Sequence, residues 1–202
     1  GGSLASRLAH LFLEEVAENA THGIDIHTAA IHRYNLPQIR TDLDDPETKA
    51  MAEAFGAKVI VHSRKRNNSL RETLAEKGVP IIVYEAGEAL RYNESAIKLG
   101  VEGIIRVMRH LGMLQKSKAK EIIPIRSRTS RWVRAKKSGL VRLQVKAGDR
   151  VKRHGVIAVI TDPLGTSTVD LKAPFDGLII GHANLPLVNA GDAVINVAKV
   201  FT

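Results

Sequence analysis

Two short segments carry residue types that chemistry needs. The first is Asp25-Ile26-His27-Thr28. It alternates as a β-strand does, so residues 25 and 27 share one face and Ile26 takes the other. An imidazole at a strand end can ligate a divalent metal, and a nearby carboxylate can orient ligands from the second shell. The same histidine can serve as a hydrogen-bonded strand residue, and spacing alone favours that plainer role. His22, His32, His62 and His110 form neither H-x-x-H nor H-E-x-x-H. The second segment is Tyr84-Glu85-Ala86-Gly87-Glu88, directly after the apolar run VPIIV that starts at Val79. A carboxylate at the carboxyl end of a buried strand sits at the crevice where open α/β sheets take ligands. Glu85 is therefore a candidate general acid–base. Its alternative is a strand-end glutamate paired with a lysine or arginine. Gly87 lets the backbone turn sharply or approach a ligand closely.

The elements around these segments follow from periodicity and caps. Leu4, Leu8, Leu11, Phe12 and Val16 recur at helical spacing. Residues 23–28 read as a strand. Asp45-Pro46 reads as the N-cap and first position of a helix through Phe55, closed by Gly56. Residues 57–62 (AKVIVH) are a short apolar strand. Ser69-Leu70-Arg71-Glu72 matches a capping box, and Gly78 closes its helix. Residues 79–84 form a strand covered on both faces. Asn93 caps a long helix bearing Ile97, Val101, Ile104, Ile105, Met108 and Leu111, stopped by Gly112. The order α-β-α-β-α-β-α predicts a layered α/β domain over residues 1–117.

Residues 118–202 predict an all-β unit of short strands with Gly/Asp/Pro turns. Residues 145–151 and 188–194 share the form V-x-A-G-D-x-V. A repeated tight turn suggests two similar halves closing into a small barrel or sandwich. With Ala173-Pro174-Phe175-Asp176-Gly177 between them, the region resembles the biotinyl/lipoyl carrier fold. The tip where a carrier bears its modified lysine reads Asp162-Pro163-Leu164-Gly165-Thr166, without lysine. That favours a structural module over a carrier.

The chain has 202 residues, 44% of them apolar and 25% charged, a globular balance that excludes wholesale disorder. It has no cysteine, which excludes disulfides, thiolate zinc sites and a cysteine nucleophile and fits a reducing, cytoplasmic setting. No apolar run approaches the ~18–20 residues of a membrane span. Residues 116–137 hold nine Lys or Arg and one acid, Glu121, so nearly all of the net +9 is local. A nucleic-acid-binding module would use such a cluster for phosphate contacts. Only Trp132 interrupts it, however, and an aromatic content of 4% is poor for base stacking. The cluster Lys116–Lys137 reads instead as solvated strands between two units.

The series D-I-H-T-A-A-I-H-R-Y-N-L-P-Q-I-R, then V-P-I-I-V-Y-E-A-G-E, then S-G-L-V, G-D-x-V, I-x-D-P-L-G and A-P-F-D-G resembles the succinylglutamate desuccinylase/aspartoacylase family. The resemblance runs in order over nearly the whole chain. It implies a zinc carboxypeptidase-like fold with a mixed sheet, and a hydrolase that cleaves small anionic N-acyl amino acids or related amides. It implies one zinc held by His, Glu and His, with His27 the second histidine ligand; Asp25, on the same strand face, remains the candidate second-shell carboxylate. Glu85 would activate the zinc-bound water and protonate the leaving amine. Arg33, Arg40 and Arg71 are candidates to clamp a substrate carboxylate bidentately. Family members commonly associate, so a homo-oligomer is expected. The other two ligands belong to an H-x-x-E motif that these residues lack. Gly1 to Arg7 resembles the segment C-terminal to that motif, so the chain is expected to be the C-terminal two-thirds of such an enzyme and inactive alone.

Overall fold

The computed structural model describes residues 2–64, 69–116 and 122–200. Gly1, Lys118, Lys120, Glu121 and the expected boundary between residues 117 and 118 lie outside the described residues. The first half runs α1 (Leu4–Glu15), β1 (Gly23–His27), β2 (Arg33–Thr41), α2 (Pro46–Phe55), β3 (Val59–His62), α3 (Leu70–Glu76), β4 (Ile81–Gly87) and α4 (Glu94–His110). The second half is all strand: β5 (Ile125–Ser127), β6 (Ser130–Arg134), β7 (Gly139–Leu143), β8 (Arg150–Val151), β9 (Val156–Thr161), β10 (Thr168–Lys172), β11 (Gly177–Ala183), β12 (Leu187–Val188) and β13 (Ala193–Lys199). The helix caps fall where the sequence puts them. Asp45 accepts from the Thr48 amide, Ser69 from Glu72 and Asn93 from Ala96, and Gly56 closes α2 in the left-handed region at φ 77°.

β2 is the element the sequence analysis does not predict. It carries Pro37 in its interior and Asn35, Gln38 and Arg40 among its apolar residues, so neither alternation nor composition marks it as a central strand. It is nonetheless central. The larger sheet is mixed, in the order β1-β4-β2-β11-β13-β6, with β3, β5 and β8 attached beside that path. β4 is parallel to β1 and antiparallel to β2, while β2 is parallel to β3 and antiparallel to β11. The β2–β11 ladder makes one sheet of strands from both halves of the chain. A second sheet, β10-β9-β7-β12, faces it in the C-terminal half.

Two cores position these layers. Phe55, Met51, Ile39, Ile60, Ile82 and Tyr84 pack α2 and α4 onto the first-half strands. Gly103 of α4 admits the Phe55 ring, since a Cβ there would lie 2.3 Å from Phe55 Cε1. Between the C-terminal sheets, Ile157, Ile160, Leu171, Ile179, Ile195 and Val197 are fully buried. Burying each such side chain is worth about 1.5–3 kcal/mol.

The repeated V-x-A-G-D-x-V turns match bond for bond. Asp149 accepts from the Lys146 amide at 2.9 Å and Asp192 from the Asn189 amide at 2.8 Å. Gly148 and Gly191 take φ of 97° and 92°, which only glycine adopts cheaply. Each turn then exchanges two backbone bonds with one residue, Ile179 of β11 for the first and Ala135, just past β6, for the second. Asp176 of A-P-F-D-G accepts from the Arg153 amide and from Lys152 Nζ.

Tyr84 is buried beneath α4 and donates its hydroxyl to the Ala96 carbonyl at 2.8 Å. Burial pushes its phenol up to about 12. The folded chain thus holds this proton more tightly than the unfolded one, whose phenol titrates near ~10. Its contribution to stability is complete below about pH 10 and is lost as the pH rises through about 12. Tyr84→Phe should remove the highest step from an absorbance titration of the tyrosines. It should also cost about 1 kcal/mol in urea unfolding at neutral pH, because the Ala96 carbonyl loses its donor.

Candidate active site

β1 and β4 lie in parallel register, with His27 opposite Glu85, Ile26 opposite Tyr84 and Asp25 opposite Val83. Opposed residues of parallel strands share a face. Asp25, His27 and Glu85 accordingly line one cleft of about 610 Å³, while Ile26, Tyr84 and Ala86 line an apolar groove on the other face. The two residues singled out from sequence are thus brought together on neighbouring strands. Neither is sealed in hydrocarbon.

Each is held from its own side. His27 Nε2 lies 3.0 Å from Asp25 Oδ2, and its ring is half exposed to the cleft. Its Nδ1 has no protein partner among the described residues. Glu85 Oε2 accepts from Asn35 Nδ2 at 2.7 Å, and Oε1 lies 3.8 Å from Arg40 Nε. A charge-assisted bond of this kind fixes a carboxylate without neutralising it.

Asn35 went unassigned in the sequence analysis, although it falls inside the quoted I-H-R-Y-N-L-P-Q-I-R run. It is buried, in register with Gly87 of β4 on one side and Gly181 of β11 on the other. A Cβ at residue 181 would lie 2.9 Å from both Asn35 Oδ1 and the Tyr34 carbonyl. Gly181 thereby leaves room for the amide that holds Glu85. No spacing rule announces a contact between residues 35 and 85. Only the antiparallel β2–β4 ladder makes it.

All three predicted arginines line the same cleft. Arg71 Nη2 donates to Ser63 Oγ at 3.1 Å and to the Arg64 carbonyl at 2.6 Å. Arg33 sits over the ring of Trp132, with its guanidinium carbon 4.8 Å from the centroid. Trp132 belongs to β6, in the C-terminal half, and was visible in the sequence only as an interruption of the basic cluster. Cations of that cluster are engaged by the chain itself: Arg126 with Glu53, Arg128 with Asp44, Arg134 with the Gly191 carbonyl and Lys137 with Ser167.

One group of three donors among the described residues is close enough to share an ion: Asp42, Asp44 and His62, with ligand atoms within 4.8 Å of one another. Its donors are already engaged. Arg128 bonds Asp44 and holds its carboxyl below the usual carboxylate range. Asp42 accepts from the Asp44 amide, and His62 Nδ1 from the Leu43 amide. Within the cleft, His27 is the single imidazole. A ring pinned at one nitrogen and open at the other fits one metal ligand. It does not make a complete site.

Residues 2–111 match the succinylglutamate desuccinylase/aspartoacylase catalytic domain. The chain belongs to this family. Members of the succinylglutamate desuccinylase/aspartoacylase family are deacylating amidohydrolases. The chain is 25% identical, over 98% of its length, to the N-alpha-acetyl-L-2,4-diaminobutyric acid deacetylase of Halomonas elongata. It shares its fold with the succinylglutamate desuccinylase/aspartoacylase of Rhodobacter sphaeroides, at a TM-score of 0.87, 24% identity and full coverage of this chain. The product-bound ectoine utilization protein EutE (DoeB) of Ruegeria pomeroyi gives a TM-score of 0.84 at 20% identity over 98% of this chain. The chain spans 62%, 65% and 64% of the lengths of these three relatives. No helix among the described residues is long and apolar enough to cross a membrane.

Asn35→Asp tests the contact that fixes Glu85. It puts a second carboxylate where the amide now lies 2.7 Å from Glu85. Two carboxylates so close cannot both ionise, so the pair keeps a proton to higher pH than an isolated carboxyl. A folded-state value raised above the unfolded one gives stability that is complete at low pH and is lost as the pH rises. Urea unfolding between about pH 4 and pH 8 should show the variant losing stability relative to the parent as the pH increases. An equal deficit at every pH would place Asn35 away from Glu85.

Proposed function

We propose that this chain carries the proton-transferring centre and one metal ligand of a zinc-dependent deacylase that hydrolyses the amide bond of small N-acyl amino acids. The register of His27 with Glu85 over one cleft carries the reading. In it, His27 is a ligand oriented by Asp25, and the two remaining ligands come from polypeptide beyond these residues. Two facts support that division. The relatives are longer than this chain, and β1, which bears His27, is an edge strand paired only with β4 among the described residues.

Zinc held in part by His27 supplies Lewis-acid polarisation of an acyl carbonyl and a more acidic water. Glu85 takes a proton from the attacking water as its oxygen bonds to the carbonyl carbon. It passes that proton to the amide nitrogen as the carbon–nitrogen bond breaks, so one water is consumed and one amine and one carboxylic acid are released. Asn35 donates to Oε2 throughout, which keeps the carboxylate in one orientation. Arg40 flanks the other carboxylate oxygen, its Nε 3.8 Å from Oε1. The arginines of the cleft draw in an anionic substrate.

We read residues 1–117 as the catalytic unit and 118–202 as a non-catalytic β unit of biotinyl/lipoyl carrier type, shaping the cleft mouth through Trp132. The paired turns at 145–151 and 188–194 support the pseudo-symmetry such a unit needs. The 162–167 hairpin tip is held by Asp162 and offers no lysine for a carrier's cofactor. The absence of cysteine suits a cytoplasmic enzyme.

Glu85→Gln, made in the protein together with the polypeptide that completes its site, should lower kcat for N-acetyl or N-succinyl amino acids by about 10²–10⁴-fold. Zinc content should stay near that of the parent. Unchanged turnover removes Glu85 from the chemistry. The 202-residue chain alone, after desalting, should retain no stoichiometric zinc. An equimolar, tightly held ion would overturn the shared site.

A further inference from the structure

The three cleft arginines are not equivalent. Arg71 spends its Nη2 on Ser63 Oγ and the Arg64 carbonyl, tying α3 to the end of β3. Arg40 stands beside Glu85, so an anion seated there would compete with the carboxylate. Arg33 is different: it lies half-buried over the face of Trp132 at 4.8 Å, and none of its guanidinium N–H donors has a protein acceptor among the described residues, only its backbone amide donating to the Ala30 carbonyl. A guanidinium over an indole engages the ring through its flat face and keeps its N–H edge for a planar acceptor. An ordered cation with an unspent donor edge, opening on a cleft, is built to receive a carboxylate.

We infer that Arg33, seated on Trp132, is the residue of this cleft that receives a carboxylate of the substrate, and that Trp132 is a specificity-determining residue. The inference rests on the deacylase reading for what the ligand is, but its geometry stands by itself. Trp132 is opposite Asn196, Asn196 opposite Gly181, and Gly181 opposite Asn35, so one row of the sheet runs from the indole to the residue that holds Glu85. The glycine in that row lowers the floor between them. With strands about 4.8 Å apart, the backbones of residues 35 and 132 are about 14 Å apart. The carboxylate that Arg33 takes is therefore set well away from the scissile amide over Glu85. It is either the α-carboxylate of the amino acid or the far carboxylate of a dicarboxylic acyl group.

Trp132 is the sole tryptophan, so its emission reports on this seat alone and needs no turnover. The full chain is titrated, at constant ionic strength, with N-acetylglycine, N-succinylglycinamide and N-acetylglycinamide. These carry the α-carboxylate, the acyl-end carboxylate and no carboxylate. A saturable change is expected with one or both of the first two and none with the third, and the responding ligand identifies which end is read. Arg33→Gln and Arg33→Lys should each raise the midpoint about 10- to 100-fold, the second because a point charge does not replace the planar fork. Trp132→Ala, followed by calorimetry, should weaken the same ligand, and Trp132→Phe should restore most of the affinity. A response to neither carboxylate, an equal response to the neutral amide, or midpoints unmoved in both Arg33 variants would overturn the seat. Binding through Arg33 without hydrolysis by the zinc-loaded, completed protein would leave the seat standing and overturn the deacylase reading. Hydrolysis with an unchanged KM in Arg33→Gln would do the reverse.

Discussion

The pairing of β2 constrains everything else in this molecule. Ile39 and Arg40 pair with β4 on one edge and β3 on the other, while Asn35 pairs with β4 and β11. β3 and β11 must therefore share the edge of β2 away from β4, one after the other along its length. Pro37 falls where the edge changes hands. It has no amide hydrogen to offer either neighbour, and the β2–β4 ladder shifts register between Asn35 and Gln38 at the same place. The residue that argues, in sequence, against this segment as a strand is the one that lets it serve two partners. Because β11 joins here, Trp132 and Arg33 meet. Because β4 joins here, Asn35 meets Glu85.

That explains which parts were legible in the sequence. Caps act within four residues, so Asp45, Ser69, Asn93 and Gly56 declared the helix ends without help from tertiary structure. The paired V-x-A-G-D-x-V turns were equally local, since an aspartate reaching back three residues and a glycine at positive φ make the whole device. His27 and Glu85 were legible as strand ends, because each lies at the end of an apolar or alternating run. Their meeting was supplied by the family resemblance, not by spacing. Asn35 and Trp132 were not legible as site residues. Each acquires its role from a partner at least 50 residues away, and a buried polar residue in a strand looks, in sequence, like an argument against the strand.

The basic cluster shows the same limit. As a run of charge it pointed to a solvated link or a phosphate-binding surface. In the fold, Arg126 and Arg128 reach back to Glu53 and Asp44 near the two ends of α2, bridging the first half to the strand that begins the second. Solvent-screened pairs of this type contribute little to stability. They therefore set orientation between the two halves more than they set stability. The apolar contacts of Leu178, Ile180 and Ala198 with Val59 and Val61 do the holding.

The chemistry depends finally on a register that one residue could spoil. Side-chain parity in β1 and β4 separates a polar cleft from an apolar groove, and a single-residue slip would exchange them. It would carry His27, which borders both, off the face it shares with Glu85 and lift Ile26 into the cleft. Two features oppose the slip. Gly23 sits opposite Ile81, where a Cβ would lie 2.9 Å from Ile81 Cγ1, so no other residue of β1 fits that position without displacing the isoleucine. Tyr84 is anchored from the other face by its bond to the Ala96 carbonyl and by the Phe55 ring, whose centroid is 4.9 Å away. β4 is thus fixed by α4 and β1 is fixed by β4. The position of the imidazole is set by a glycine at one end of its strand and a phenol on the opposite face of the sheet, neither of which touches the cleft chemistry.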